Sequence, residues 1–179
     1  MALLSTIVST RHGNDYSLAR RLCRVGQVVL LVVFAGLQGI VAADEIDSLL
    51  LRDEAPRGIV FEIVESDETA LTELLPRIRR AILQIRARFP QTEFAVVSHG
   101  REEFALQRKQ QQEYAQVHQQ VQSLVAEDVP VHVCANHAGW YGVTAEDFPD
   151  YVSVAPTGQG QIAVYQQLGY DLIVIDSYN

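Results

Sequence analysis

Cysteine is nearly absent from this chain: two in 179 residues, Cys23 and Cys134. Residues 44–179 keep only Cys134, so they have no internal disulfide to form, and a disulfide-stapled scaffold is excluded. Repeats of solenoid length are missing, and the short run Gln110–Gln112 is the sole low-complexity stretch. No Gly-Lys-Ser/Thr, G-x-G-x-x-G or His-Glu-x-x-His element occurs, and there is no second Cys pair. A P-loop, a dinucleotide fingerprint and a cysteine-paired zinc site therefore have no sequence support, and neither a metal nor another cofactor is expected. Basic charge is scarce as well: 14 Lys and Arg against 22 Asp and Glu, net −8. Residues 1–43 hold four of those basic residues and one of the acids, so the remainder carries a net charge of −11. Such a surface repels nucleic acid and anionic membranes, which excludes nucleic acid as a partner. The arginines at 77, 79, 80, 86 and 88 read as the solvated face of a helix.

What is present is a foldable composition, 48% hydrophobic with seven Tyr and six Phe, the profile of one globular domain rather than a disordered chain. The first 43 residues stand apart. Arg11, Arg20, Arg21 and Arg24 precede an uncharged apolar run over 25–41, and Val41-Ala42-Ala43 leads into the acidic Asp44-Glu45. A basic segment, an apolar segment and small residues before a cleavage point compose a secretory signal, with cleavage after Ala43 and a periplasmic product. The other reading is an uncleaved anchor, for which 17 residues with Gln27 and Gln38 reach only the lower limit of a span. Membrane contact is then expected only through this segment. Residues 44–56 read as a polar lead-in, and 57–179 as the folded domain.

Within the domain, apolar runs alternate with helical periods. Strands are expected at 57–64, 92–100, 129–135, 151–156 and 170–176. Between the first two, Ser66-Asp67-Glu68-Thr69 signals a helix start, and Leu71, Leu74, Leu75, Ile78, Ile82 and Ile85 form its stripe. Pro76 either kinks that helix or sits in its first turn. Residues 101–113 are polar and lack a clean stripe. Tyr114, Val117, Val121 and Leu124 restore a helical period, Thr144–Asp147 reads as a short capped turn, and a last helix runs from Thr157-Gly158-Gln159-Gly160 to Gly169. The pattern is an α/β three-layer sandwich: a five-stranded, mainly parallel sheet with helices on both faces.

Parallel sheets bind ligands beyond the carboxyl ends of their strands. Cys134 ends the third strand in VHVCANHAGWYG, His99-Gly100 ends the second, and Thr157-Gly158 follows the fourth. These segments are expected to open on one rim. Cys134, His99 and His137 are the catalytic candidates; Gly100, Asn136, Thr157, Gly158 and Gly160 are the ligand-binding ones. A free thiol is only a few per cent ionised at neutral pH, so a working Cys134 needs positive help from an imidazole, from Arg101 or from backbone amides. The competing reading is a buried, inert cysteine, a common fate for this residue. His132, inside the strand, reads as a hydrogen-bonded core residue. Trp140 and Tyr141 either line a pocket or meet another subunit.

Three segments carry a family resemblance: AVVSHG, VHVCANHAG, and GVTAEDFPDYVSVAPTGQGQIAVYQQLGYDLIVI. Across residues 57–176 the chain resembles the DsrE/DsrF-like (YchN-like) family, in an exported, uncharacterised branch. The resemblance implies a compact three-layer domain assembling into oligomers, often trimers or hexamers. It also implies sulfur relay, in which one cysteine carries a persulfide between a donor and an acceptor protein. Cys134 is the position that takes that role. The alternative is a non-catalytic oligomeric module that binds a small ligand or partner and keeps its cysteine packed.

Overall fold

A computed structural model describes residues 41–177. The signal or anchor reading of residues 1–43 lies outside the described residues, apart from the backbone of 41–43, which is helical. Among the described residues no helix is long and apolar enough to cross a membrane.

Five strands form one wholly parallel sheet: β1 (Gly58–Ile63), β2 (Glu93–Ser98), β3 (Val131–Cys134), β4 (Ser153–Ala155) and β5 (Tyr170–Val174), in the order β4-β3-β2-β1-β5. The chain steps outward from β1 to β4, then crosses back to add β5 on the far side of β1. The three central strands, β1 to β3, bury side chains on both faces, as the interior of a parallel sheet demands, while the edge strands β4 and β5 stay partly exposed. Ile59, Phe61 and Ile63 of β1 join Phe94, Val96, Val131, Val133 and Ile173 in the larger core. Val60, Ala95 and Val97 face the other way and meet Ile162 in a smaller one.

The larger core is closed by α1 (Val41–Leu50), α2 (Leu71–Arg88) and α3 (Ala115–Ala126). In α2 the expected stripe is buried from Leu71 to Ile85, and each such side chain contributes about 1.5–3 kcal/mol on transfer from water. Asp67 accepts from the Thr69 amide at 2.9 Å in the turn before it. The helix opens at Leu71, so Pro76 lies inside it, past the first turn. The arginines of α2 are not simply solvated. Arg79 and Arg86 both reach Glu127 beyond α3, and Arg77 donates to the Asp176 carbonyl oxygen at 2.7 Å.

Two segments differ from expectation. Residues 44–56, read as a polar lead-in, contribute α1 through residue 50, because Leu49 is buried and Ile46 and Leu50 pack on the core. Residues 101–113, read as polar, begin with a buried 3-10 helix, Arg101–Leu106. On the opposite sheet face α5 (Gly158–Gln167) is the main cover; the five-residue α4 (Ala135–Gly139) continues directly from β3. Thr157 caps α5 by accepting from the Gly160 amide at 3.1 Å. Gly169, at φ 88°, ends the helical segment in the left-handed region that glycine tolerates.

Candidate functional site

Because β2 and β4 both flank β3, the three expected segments do meet on one edge. An open cleft of about 540 Å³ lies there, bounded by Glu65 after β1, His99 and Gly100 after β2, and His137 and Trp140 after β3. Trp140 stands 72% exposed at its rim.

Cys134 is 5% exposed. Its Sγ accepts the backbone N–H of His137 at 3.3 Å, and its own N–H donates to Oε2 of Glu103 at 2.8 Å. Neither candidate imidazole hydrogen-bonds to the sulfur. His137 turns its ring to Glu103, with Nδ1 2.8 Å from Oε1. His99 places Nε2 2.7 Å from Oε1 of Glu62, an oxygen that also accepts from Gln159 at 2.8 Å. His99 is packed directly over Gly158: a Cβ there would stand 2.5 Å from the Cβ and Cγ of His99. Gly158 is thus buried under an imidazole, and the Gly160 amide is spent on the Thr157 cap. Asn136 is exposed and its amide donates to the Pro156 carbonyl at 3.1 Å, tying α4 to the end of β4. His132 hydrogen-bonds the Tyr165 hydroxyl at 2.9 Å, as a core histidine should; burial lowers its pKa.

The groups that organise this edge are two adjacent carboxyls, Glu102 and Glu103, each fully shielded from solvent. Glu102 is held by donors: the Glu65 amide at 2.7 Å, the Ser98 hydroxyl at 2.7 Å and the Gly100 amide at 3.0 Å. Burial raises its pKa, and those donors oppose the rise. Glu103 is pushed up to about 8 by burial, with the Cys134 amide pulling the other way and the neighbouring Glu102 adding to the rise. Burial lowers the pKa of His137, whose ring stacks on Phe104 at 5.5 Å and meets the edges of Trp140 and Tyr141 at 5.4 and 5.3 Å. Gly100 has no room for a side chain, since a Cβ would fall 2.4 Å from Glu102 and 2.6 Å from the Glu65 backbone.

Glu102 and Glu103 escape a reading of sequence because Glu-Glu in a polar stretch looks solvated, and Glu62 because it is a single acid inside the apolar run of β1. The available signal is position: the pair stands one residue after a strand-ending His-Gly and leads into the apolar Phe104-Ala105-Leu106. Among the described residues no group of three or more His, Cys, Asp or Glu side chains is arranged to hold a metal ion.

A parallel three-layer sheet carrying one thiol, two carboxyl-bound imidazoles and buried acids on its carboxyl edge defines the class. The chain belongs to the DsrE/DsrF-like family, whose model matches residues 64–175. Among solved structures it is similar to the protein of unknown function MTH1491 from Methanobacterium thermoautotrophicum, at 25% identity and a TM-score of 0.54 over 66% of this chain and 98% of that one. A conserved protein of unknown function from Bacteroides thetaiotaomicron, BT1422, aligns at 13% identity and a TM-score of 0.48, covering 69% and 99%. Comparison with curated proteins finds no match.

Proposed function

We propose that this DsrE-family protein is an exported, periplasmic sulfur carrier, accepting sulfane sulfur on Cys134 and handing it to a partner protein. The observation that carries the reading is the thiol's setting. It ends β3 on the sheet edge that carries the cleft, three residues before the cleft-lining His137, whose amide N–H points at its sulfur from 3.3 Å. That N–H is positioned to donate to the sulfur during an exchange at Cys134. In the transfer, the Cys134 thiolate attacks the outer sulfur of a donor persulfide R–S–SH. The new S–S bond forms on Cys134 as the donor's S–S bond breaks, and R–S⁻ leaves with the electron pair, so no external oxidant is consumed. An acceptor thiolate reverses the exchange. At 5% exposure the cysteine does not protrude, so a donor must bring its sulfur in to the end of β3.

The same burial favours a second reading, a binding module whose cysteine is structural and whose cleft holds a small ligand. Intact-mass analysis after treatment with a persulfide donor separates the two. A sulfur carrier gains one sulfur on the parent and none on Cys134→Ser. No adduct under native conditions, with alkylation of Cys134 only after denaturation, leaves the binding module. In either case the proposed assembly is a homo-oligomer, and a trimer or hexamer is what the family resemblance implies; Val164 of α5, Leu168 at its end and Val174 on the same sheet face are exposed and offer a contact surface.

A further inference from the structure

His137 and Glu103 are joined across 2.8 Å, and nothing polar separates them. Glu103 has no exposed surface, while His137 reaches the cleft. The carboxyl's second oxygen is committed to the Cys134 amide. A proton on Glu103 thus has one evident route to the cleft, through the imidazole. We propose that Glu103 and His137 form a single acid–base unit, in which the buried carboxyl stores a proton and Nε2 of His137 delivers it to, or recovers it from, a group bound in the cleft. Glu103 is the positioning residue; His137 touches the bound group.

The proton count is explicit. With the pair protonated, the shared proton lies between Oε1 and Nδ1, and wherever it sits Nε2 carries a hydrogen. Giving up the Nε2 proton draws the shared proton fully onto Nδ1. That leaves a carboxylate accepting from Nδ1–H and a bare lone pair on Nε2. Recovery runs backward, and no electrons change hands. The buried carboxyl stays protonated to about pH 8, so the donating form prevails at neutrality. Arg101 and Glu102 from the 3-10 helix act on the ring, Tyr141 after α4 meets its edge, Cys134 from β3 accepts from the backbone N–H of His137, and His99 and Glu65 line the same cleft. Arg101 and Glu102 bias the ring in opposite directions. This inference deepens the sulfur-carrier reading and rests on it only for the use of the proton, which is to neutralise the departing thiolate.

The test is nitrogen-15 imidazole NMR on the full chain, followed from about pH 6 to about pH 9.5, a range that brackets ordinary histidine titration near 6.5. The wild-type His137 ring is expected to change from the Nε2–H to the Nδ1–H tautomer with a midpoint close to 8. In Glu103→Gln the amide carbonyl serves the Cys134 amide and the NH₂ donates to Nδ1, so the ring stays Nε2–H throughout. A wild-type ring that titrates as an ordinary imidazolium near 6.5, or keeps one tautomer to the alkaline end, overturns the proposal, as does a variant that titrates like the wild type. The wild-type curve decides the matter even if the variant fails to fold. Because no sulfur is needed for the readout, a failed persulfide assay and a failed tautomer titration are separate results.

Discussion

Glu103 is an acid buried where an acid is costly, and its surroundings make the protonated form the favoured one. Its pKa rises from the ordinary glutamate range near 4.5 to about 8. Between those values the folded chain binds more protons than the unfolded chain. Stability is therefore greatest at the acidic end of that window and falls as pH rises through about 8. Glu102, raised for the same reason, acts in the same direction. Urea unfolding from about pH 5 to about pH 8.5 is expected to show a loss on the order of a few kcal/mol in the wild type. Glu103→Gln should flatten much of that slope; parallel curves would show that the carboxyl titrates elsewhere. Cys134, His99 and His137 were legible in the sequence as candidates. Their pairing was not, because whether an imidazole turns to a thiol or to a carboxyl depends on which buried acid the fold brings within 3 Å, and Glu62 and Glu103 arrive from distant segments.

Periodicity found every strand and the main helices, since burial on both faces of a parallel strand and on one stripe of a helix leaves a repeating apolar signature. It missed α1, which buries Leu49 and little else completely, and the Arg101–Leu106 3-10 helix, whose buried residues run consecutively instead of recurring along one face. The junction of β4 and α5 makes a sharp demand on sequence. Gly158 is pressed against His99, so Gly158→Ala must shift either the helix or the imidazole. Overpacking of this kind costs about 1–3 kcal/mol. The expected result is a lower urea midpoint together with a displaced His99–Glu62 contact, visible as a changed His99 imidazole spectrum. Thr157→Ala, which removes only the cap on the Gly160 amide, should cost about 1 kcal/mol and leave that spectrum alone.

Taken as a molecule, the chain covers its sheet unequally: three helices close one face, and α5 is the main cover of the other. Val164 and Leu168, one turn apart, are left outward on that thin layer. On the proposed homo-oligomer, Leu168→Asp is expected to shift the native mass of the full chain toward the monomer while leaving the circular dichroism unchanged; an unaltered mass would remove this face from the proposed interface. Residue order alone was enough for the parallel α/β class, the strand positions and the family resemblance, because those follow from local apolar periodicity and short motifs carried within single segments. The neighbours of each catalytic candidate came from the three-dimensional arrangement. A buried carboxyl's partner, its proton and the thiol's exposure are set by contacts between segments far apart in the chain, and no local pattern records them.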